Sequence, residues 1–376
     1  MNPRVAFYAP MKSPDHPNPS GDQRIARLFV EALQLAGYEV ELASELRSWE
    51  GKGDRAHQKA IREQGQIEAR SLIGEYQARP KSQRPAYWFT YHLFHKAPDW
   101  IGPAVSKALG IPYFVAEASV ANKQKQGAWS EGWQCSVNAL TVADGVLTLN
   151  PGDEPALREY VSQHRIHSIT PFVSSVNTQP ADRQMLAQKL GLDPDCIWLI
   201  TTAMMRPGAK FQSYQRLAQS LQVVSAQTSC RWQLLVIGDG KERTQVEALF
   251  ASFKAQVVFA GQRSRAEIQQ WMPAFNLFVW PAINEAIGMA MLEAMAAGVP
   301  VLSGYSPALY PLSLKGEGLT MLAEGDDAGF SLAFERLLSN PQSFKKMSTA
   351  NRDLTVSDCS LDAAAMQLKS VLGAMG

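Results

Sequence analysis

The stretch NEAIGMAMLEAMAAGVPVLSG, Asn284–Gly304, determines how this sequence is interpreted, because it combines two carboxylates with an apolar, helix-like pattern. Glu285 and Glu293 stand eight positions apart, with Gly288 between them. If both lay on one helix, this spacing would separate them by about 12 Å. The paired carboxyls of glycosidases lie only roughly 5–9.5 Å apart. The spacing therefore argues against an acid–base pair of that kind.

The residues before this stretch favour a different arrangement. The apolar run Leu277–Pro281 predicts a strand, so Glu285 would lie in the loop after it, and a helix would run from near Gly288 to Ala297. The N-terminus of such a helix offers unpaired N–H groups and partial positive charge, which favour phosphate. The two carboxylates would then contact opposite ends of one long ligand with phosphate in its middle, which is the order found in a nucleotide sugar.

The alternative is that both are ordinary glutamates of a helix, and for any single glutamate that interpretation is favoured. Glu293, however, is flanked by Met291, Leu292, Ala294 and Met295. A charge on so apolar a helix needs a partner.

Composition limits the class of protein. The length of 376 residues indicates about two domains, and the net charge of +1 argues against nucleic acid as the main partner. The four cysteines are far apart and lack CxxC spacing, which indicates a reducing compartment without a metal site or disulfides. The sequence shows no apolar leader and no window apolar enough to span a membrane. These features predict a cytoplasmic protein and leave open peripheral contact with the inner face of a membrane.

Short apolar runs alternate with helix-period segments in two rounds, which predicts two Rossmann-like α/β domains with parallel sheets. The predicted strands are Arg4–Ala9, Glu39–Ala43, Ala86–Thr90, Tyr113–Ala116 and Gly145–Leu149 in the first half, and Trp198–Thr202, Trp232–Ile237, Val257–Ala260, Leu277–Pro281 and Pro300–Ser303 in the second. The polar segment Arg47–Pro85 predicts one or two exposed helices. The expected domains are 1–172 and 173–355, followed by a helix over 356–376 that packs back on the first domain.

Several segments together resemble a known family. NEAIGMAMLEAMAAGVPVL is similar to the glutamate-x7-glutamate motif of the retaining, nucleotide-sugar-dependent glycosyltransferases of family 4. Leu234–Leu249 and Val257–Ala282 resemble the two segments before that motif, and Ser20–Ser44 resembles the family's N-terminal glycine loop and first helix. The resemblance covers nearly the whole chain. It implies the GT-B fold, in which two Rossmann-like domains face each other across a deep cleft, with the acceptor on the first and the donor on the second.

The resemblance also implies roles for individual residues. Glu285 would hold hydroxyls of the donor sugar, and Glu293 would accept hydrogen bonds from the ribose. The other implied donor-binding residues are Ile287, Gly288 and Met289 at the sugar and diphosphate, Gly238 and Gly240 where the nucleoside approaches, and Gln262 and Arg263 beside the base. For Gly238 and Gly240, a plain strand-to-helix turn is an equally good interpretation.

The segment TTAMMRPGAKF, Thr201–Phe211, places Arg206 and Lys210 near a turn after a strand. Cations there could neutralise a diphosphate leaving group, although a solvated turn explains them as well. In the family this segment has an arginine five residues before the lysine. Counting back from Lys210, that position holds Met205. The departure suggests a divergent branch or an altered grip on the diphosphate.

In the first half, Gly21 follows the proline-rich loop Tyr8–Gly21 after the first strand, where open α/β sheets bind ligands. A glycine there would let the donor phosphate or the acceptor approach; a helix start capped by Ser20 or Asp22 is the alternative. The histidines His92 and His95 follow another strand and are predicted to line an acceptor cleft.

Glu117 lies just past the strand that follows these histidines along the chain. It stands where many relatives have a histidine that meets the sugar. It would bind a sugar hydroxyl or the acceptor, or only cap the following turn, and the sequence leaves these interpretations open.

Lys123, Lys125, Trp129 and Trp133 form a basic and aromatic cluster that suits an anionic membrane surface, although solvated helices explain the charges equally well. The sequence thus predicts a retaining glycosyltransferase. It would transfer a hexose-type sugar from a nucleotide diphosphate sugar to an acceptor hydroxyl of a glycan or lipid, without a metal or other cofactor. The alternatives are a catalytically degenerate GT-B protein that binds nucleotide or glycan, and a sugar-nucleotide epimerase with the same fold.

Overall fold

The computed structural model describes residues 2–17, 20–174, 176 and 181–374, so Asn18 and Pro19 of the predicted proline-rich loop lie outside the described residues. The chain forms two compact units. Unit 1 comprises Met1–Thr170 together with Leu361–Gly376, and unit 2 comprises Pro171–Ser360.

Unit 1 is built on a six-stranded parallel sheet. Its strands are β1 (Arg4–Tyr8), β2 (Glu39–Ser44), β3 (Tyr87–Leu93), β4 (Tyr113–Ala118), β5 (Gly145–Thr148) and β6 (Ile166–Ser168). Its helices are α1 (Gly21–Leu35), α2 (Arg55–Ala78), α3 (Gly102–Leu109), α4 (Ser130–Val142), α5 (Glu154–Leu157) and the last helix of the chain, α14 (Leu361–Gly373). The strand order is β2-β1-β3-β4-β5-β6. Strand β1 is buried along Val5–Tyr8, as expected for a parallel strand covered on both faces.

Unit 2 has a second six-stranded parallel sheet. Its strands are β7 (Ile197–Thr202), β8 (Trp232–Ile237), β9 (Val257–Gly261), β10 (Leu277–Trp280), β11 (Val301–Ser303) and β12 (Leu319–Met321). Its helices are α6 (Arg183–Leu190), α7 (Ala209–Gln227), α8 (Arg243–Leu249), α9 (Arg265–Trp271), α10 (Met289–Ala296), α11 (Tyr310–Ser313), α12 (Asp327–Ser339) and α13 (Ser343–Asp358). The strand order is β12-β11-β10-β7-β8-β9.

The two strand orders place a topological switch point in each sheet. Unit 2 has the Rossmann order, and its switch point lies between β7 and β10. Unit 1 has a flavodoxin-like order, and its switch point lies between β1 and β3. Open α/β sheets bind ligands outside the carboxyl ends of the strands at such points. The loops after these four strands are therefore the places to look for a site.

All ten predicted strands are present, with ends shifted by at most three residues. The sequence analysis missed β6 and β12, which are three residues long and lie at sheet edges. Three residues are too few to show a period, and their strand conformation depends on the neighbouring strand. The polar segment Arg47–Pro85 contains one long exposed helix, α2.

The helix predicted over 356–376 is interrupted. Helix α13 ends at Asp358, and α14 begins at Leu361. The break coincides with a contact to another part of unit 2, because the carbonyl of Cys359 accepts the N–H of Val173 at 2.9 Å and Ser360 forms a β-bridge with Val173. Beyond the break, α14 packs against α1 within unit 1.

Three of the four basic and aromatic residues that suggested membrane contact, Lys125, Trp129 and Trp133, have contacts within unit 1. Lys125 Nζ lies 5.6 Å from the ring centroid of Trp133, whose side chain is buried. Lys96 Nζ lies 4.3 Å from the ring of Trp129, and Trp129 Nε1 donates to the carbonyl of Glu50 at 2.8 Å. These side chains give no support to peripheral membrane contact, which stays a prediction. Across the part of the chain that the structure describes, no helix combines the length and hydrophobicity needed to cross a membrane.

One buried amide fixes the turn after α10. Asn351 of α13 is fully buried, and its Nδ2 donates to the carbonyls of Val299 at 2.8 Å and Gly318 at 2.9 Å. Val299 lies between α10 and β11, and Gly318 directly precedes β12. The amide therefore ties the end of α10 to the edge of the sheet and helps to fix the helix that carries Glu293.

Asn351→Ala is expected to lower the free energy of unfolding by about 2–4 kcal/mol, because two buried carbonyls lose their donor and each unsatisfied group costs roughly 1–3 kcal/mol. Urea unfolding followed by tryptophan fluorescence measures the change. The control is Asn340→Ala, since Asn340 is exposed at the end of α12. Equal stability of the two variants would contradict the bridging role of Asn351.

Candidate functional site

Lys210 and Glu285 are brought together at the switch point of unit 2. Lys210 lies in the first turn of α7, which follows β7, and Glu285 lies in the loop after β10. Lys210 Nζ donates to Oε2 of Glu285, although the residues are 75 positions apart in sequence. Their side chains remain 34% and 19% exposed. Two neighbouring strands thus deliver a cation and a carboxylate to one accessible place.

Lys210 occupies an electrostatically unfavourable position in its own helix. The first turn of α7 is the positive end of the helix dipole, where carboxylates are stabilised and cations are not. Gly208, with a φ of 80°, turns the chain into this helix. The ion pair with Glu285 offsets the repulsion. Departures from a local rule are expected at functional sites, and a bound phosphate would suit both the lysine and the helix end.

Trp280, the last residue of β10, contacts both members of the pair. Its ring centroid is 5.5 Å from Lys210 Nζ, and its Nε1 is 3.4 Å from Oε2 of Glu285. Tyr214 of α7 packs edge-on against the indole at 5.0 Å, and its hydroxyl donates to the carbonyl of Ala203 at 2.8 Å. Burial raises the pKa of Tyr214, so the phenol remains a neutral donor. The indole is therefore held in place by α7 while it supports the two charges.

The helix predicted in the opening stretch is present as α10, Met289–Ala296. Gly288 precedes it with a φ of 80°, a left-handed backbone conformation that favours glycine. The buried Ser306 donates to the carbonyl of Ile287 at 3.1 Å and so anchors the loop before the helix. The first amides of any helix lack internal acceptors. The first amides of α10 therefore lie directly after this anchored loop.

Glu285 and Glu293 lie on either side of the start of α10, as the sequence analysis predicted. Glu285 is in the loop, and Glu293 is in the second turn of the helix, partly buried. The amides at Gly288 and Met289 lie between them along the chain. The contacts of these residues with sugar, diphosphate and ribose remain predictions.

Gly238 and Gly240 are required by the packing of the chain itself. A Cβ on Gly238 would lie 1.9 Å from the carbonyl oxygen of Ala203, and one on Gly240 would lie 2.2 Å from that of Met205. The N–H of Met205 also donates to the carbonyl of Asp239 at 2.9 Å. The loop after β8 thus packs on the loop after β7, which explains both glycines without a ligand. Their contact with a nucleoside stays a prediction.

Met205, at the position where the family has arginine, is buried in the hydrophobic core of unit 2. Arg206, one position on, is exposed, as are Gln262 and Arg263 after β9. Among the predicted cations, Lys210 is the one that the structure brings into contact with another predicted site residue. Arg206, Gln262 and Arg263 lie on loops at the same carboxyl edge of the sheet.

A second group of titratable residues lies at the carboxyl edge of the sheet in unit 1. His92, near the end of β3, and Asp22, in the first turn of α1, are hydrogen-bonded through Nδ1 and Oδ1. Glu117 of β4 and Asp153, which follows β5, both interact electrostatically with His92. The sequence analysis had assigned His92 and Glu117 to this edge. It had considered Asp22 only as a helix cap and had not considered Asp153.

Three strained backbone positions mark the same two edges. His92, Glu117 and Asn284 have φ angles of 64°, 55° and 49°, and they are the non-glycine residues with positive φ within the described residues. A residue in such a conformation costs about 1–3 kcal/mol and persists where its surroundings impose it, often at ligand sites. Each of the three lies at or just after the carboxyl end of a strand.

Burial raises the pKa of Glu117 to about 7, against the lowering effect of the Leu149 N–H that donates to its carboxylate. Its carboxyl group therefore changes protonation near neutral pH. Perturbed carboxyls of this kind are common at functional sites. A role of Glu117 toward a sugar or acceptor stays a prediction.

Gly21 and His95 have different surroundings. Gly21 begins α1 and is exposed, and a Cβ there would meet nothing within 4 Å. The fold leaves open space beside Gly21, so the predicted approach of a ligand is sterically allowed. The ring of His95 packs against Trp129 at 5.9 Å, and burial, with Lys96 nearby, lowers its pKa. His95 thus has partners different from those of His92, and its predicted acceptor role remains a prediction.

Comparison with known proteins shows which families and proteins the chain is similar to. Residues 198–340 match the family described as glycosyl transferases group 1. The match lies within unit 2, between β7 and the end of α12, and supports a likeness to glycosyltransferases of the family 4 type. Its relatives include the 2-deoxystreptamine glucosyltransferase of Streptomyces kanamyceticus, 24% identical over 253 residues that cover 64% of this chain and 65% of the relative. Another is the D-inositol 3-phosphate glycosyltransferase of Pseudarthrobacter chlorophenolicus, 23% identical over 381 residues that cover 90% of this chain and 87% of the relative. The chain therefore spans slightly less than two thirds of the Streptomyces relative.

Solved structures support the fold. The chain is similar to Anabaena HepE in complex with UDP, with a TM-score of 0.73, 15% identity, and coverage of 99% of this chain and 100% of HepE. The chain has the two-domain α/β GT-B fold that the sequence resemblance implied.

Several residues at these edges were missed by sequence reasoning. Trp280 stood in the predicted strand LFVWP, and its place at the strand end next to a loop carboxylate was a usable signal. Ser306 and Asp153 gave no such signal, because their contacts come from loops that are distant in sequence.

Lys210→Ala is expected to weaken binding of a nucleoside diphosphate by about 10- to 100-fold while changing binding of the bare nucleoside little. The lost contact is charge-assisted and worth about 1.5–3 kcal/mol. Isothermal titration with UDP and uridine, or with whichever of the GDP, ADP and TDP pairs binds, measures both affinities.

The matched control is Lys254→Ala. Lys254 is exposed and lies just before β9, at the amino edge of the same sheet. Equal losses for diphosphate and nucleoside in Lys210→Ala, or no loss for either, would exclude the diphosphate role.

Proposed function

We propose that this chain is a retaining glycosyltransferase of the family 4 type, which transfers a hexose-type sugar from a nucleoside diphosphate sugar to an acceptor hydroxyl. The observation that carries the proposal is the Lys210–Glu285 pair at the switch point of unit 2, together with the start of α10. The match of residues 198–340 to the group 1 glycosyltransferases and the likeness to a UDP-bound structure support a nucleotide-sugar donor.

In the proposed donor complex, the diphosphate takes the place that Glu285 now has beside Lys210. The phosphate oxygens bind Lys210 and the first amides of α10, and the exposed Arg206, in the loop before α7, is proposed to join them. Glu285, released from the lysine, accepts hydrogen bonds from hydroxyls of the donor sugar, and Glu293 accepts those of the ribose. Gln262 and Arg263 flank the base.

Catalysis on this proposal consists of positioning and of stabilising the negative charge that develops on the departing diphosphate. The bond between the anomeric carbon and the phosphate oxygen breaks as the acceptor oxygen bonds to the same face of that carbon. The leaving phosphate takes the acceptor proton. On this proposal, Lys210 stabilises the departing diphosphate more strongly as its negative charge develops.

The acceptor in this proposal is a hydroxyl of a glycan or of a lipid-linked glycan. The names of the two relatives specify different acceptors, 2-deoxystreptamine and D-inositol 3-phosphate. They therefore do not identify the acceptor of this chain. A thermal-shift panel of UDP, GDP, ADP and TDP identifies the donor nucleotide first. A ligand at 100 times its Kd stabilises the folded state by about 2.7 kcal/mol.

A second candidate function is binding of a nucleotide or glycan without transfer. The burial of Met205 at the position of the family's arginine favours it, because one cation is lost from the diphosphate site. Purified protein incubated with the sugar nucleotide distinguishes the two. Transfer or slow donor hydrolysis supports the enzyme, and binding without any donor breakdown supports the binding protein.

The Glu285 and Glu293 carboxylates should affect different parameters. Glu285→Gln should leave nucleoside diphosphate affinity nearly unchanged and lower kcat, because sugar orientation matters most as the glycosidic bond breaks. Glu293→Gln should weaken binding of the nucleoside diphosphate by about 1.5–3 kcal/mol. The ribose hydroxyls that Glu293 would bind are present in the donor and in the free nucleotide alike. Titration and initial-rate kinetics on both variants measure these effects.

The two glutamate variants serve as controls for each other, since they differ from the natural protein by the same change on the same stretch. If Glu285→Gln loses nucleotide affinity and Glu293→Gln keeps it, the sugar and the ribose bind in the opposite order along this stretch. If neither variant changes either parameter, the glutamates are structural.

Transfer is expected to be independent of divalent metal. Within the described residues, no group of three or more His, Cys, Asp or Glu side chains is placed to hold a metal ion, and Lys210 supplies positive charge at the proposed diphosphate site. The measurement is turnover after treatment with EDTA, before and after addition of Mg²⁺ or Mn²⁺. Activity that disappears with EDTA and returns with either ion would contradict the expectation.

A further inference from the structure

The hydrogen-bonded pair Asp22–His92 occupies the switch point of unit 1, between β1 and β3. Asp22 lies at the start of α1, which follows β1 along the chain. His92 is the last residue but one of β3. The Nδ1–Oδ1 contact joins residues 70 positions apart in sequence. The side chains are 12% and 30% exposed, so the carboxylate is largely covered while part of the imidazole reaches solvent.

Capping of α1 does not account for Asp22. The cap is Ser20, whose Oγ accepts the N–H of Gln23 at 3.2 Å. The positive end of the α1 dipole stabilises a carboxylate at Asp22, and that carboxylate is hydrogen-bonded to the imidazole of His92. The structure therefore gives Asp22 a definite partner at the place where a ligand is expected.

The backbone presents His92 and Glu117 together. Tyr91 pairs with Ala116 and Leu93 pairs with Ala118, so His92 and Glu117 occupy equivalent positions on neighbouring parallel strands. Both residues have positive φ, which interrupts the regular strand conformation at the same level of the sheet. Two adjacent irregularities of this kind are costly, and such strain is found where side chains are held for a ligand.

An aspartate carboxylate can only accept a hydrogen bond, so in the neutral form of the His92 imidazole Asp22 keeps the proton on Nδ1. The Nε2 atom is then unprotonated and can accept a hydrogen bond, as in metal sites and catalytic dyads where a carboxylate sets the tautomer. We propose that Asp22 is a positioning residue, which orients His92 so that its Nε2 accepts a hydrogen bond from a hydroxyl group of the sugar acceptor. This inference rests on the proposed glycosyl transfer and adds the chemistry of acceptor recognition in unit 1.

The surroundings of His92 define the class of acceptor group. The carboxyl groups that interact with it include Asp22 from α1, Glu117 from β4 and Asp153 from the segment after β5. On its own strand, burial raises the pKa of Tyr91, so its phenol remains neutral. Carboxylates accept hydrogen bonds from hydroxyls and repel phosphate. The group recognised here is therefore an uncharged sugar hydroxyl.

The test uses His92→Asn and Asp22→Asn in the full chain. Asparagine tolerates the left-handed backbone of position 92, and its amide can still donate to Asp22, whereas nothing replaces Nε2. Asp22→Asn removes the charge that fixes the tautomer. The matched control is Asp362→Asn, since Asp362 is an exposed aspartate in the first turn of α14 in the same unit.

Three readouts are compared: the His92 ring tautomer by long-range ¹H–¹⁵N correlation in mildly alkaline buffer, the acceptor KM and kcat for methyl glucosides with UDP-glucose, and UDP affinity. The natural protein and Asp362→Asn should show the Nδ1–H tautomer. Asp22→Asn should show a mixture of tautomers. Both site variants should raise the acceptor KM about tenfold, equivalent to about 1.4 kcal/mol, with UDP affinity unchanged.

An unchanged acceptor KM in His92→Asn, or an unchanged tautomer in Asp22→Asn, would overturn the inference, as would a preference for glucose 6-phosphate over the methyl glucosides. Absence of transfer and hydrolysis in the natural protein contradicts the proposed function separately. In that case the inference is tested by the His92 Nε2 resonance, measured before and after addition of methyl glucoside. A change in its chemical shift supports the inference, and no change overturns it.

Discussion

The ion pair between Lys210 and Glu285 is the interaction on which the site in unit 2 depends. A lysine in the first turn of a helix is repelled by the helix dipole, and a carboxylate beside an indole is partly removed from water. Each charge is acceptable in this place because of the other. The pair therefore joins the segments that follow two neighbouring strands while leaving both groups partly exposed. In the proposed donor complex, the diphosphate competes with Glu285 for the lysine.

The two sheets place opposite chemistry at their switch points. The switch point of unit 2 combines a cation with a helix N-terminus, which suits phosphate. That of unit 1 combines an imidazole with carboxyls, which suits hydroxyl groups. Both follow from one constraint of parallel sheets, since the strand order reverses at a single point and the loops on either side diverge there. A donor with phosphates and an acceptor with hydroxyls would each find the complementary unit.

The glycines of the family motifs have different physical reasons. Gly238 and Gly240 are required because a Cβ would collide with backbone carbonyls of the loop after β7, and Gly288 is favoured by its positive φ. Gly21 has open space around it, and the fold alone would accept a side chain there. From the sequence these positions look alike, because a glycine indicates only that another group approaches the backbone closely. That group can be another part of the chain or a ligand. The structure shows whether that neighbour belongs to the chain.

The sequence by itself determined the elements. Apolar periodicity predicted ten of the strands and the helix α10. The family motifs singled out Lys210, Glu285 and Glu117, and the position after a predicted strand singled out His92. Each of these inferences uses residues that are close along the chain, where burial leaves a regular pattern. Only the tertiary structure decided which residues meet. The contacts of Lys210 with Glu285 and of Asp22 with His92 cross 75 and 70 positions, and they exist because the strand order makes β7 a neighbour of β10 and β1 a neighbour of β3. The burial of Met205 and the short edge strands β6 and β12 were decided in the same way, by neighbours that no local pattern records.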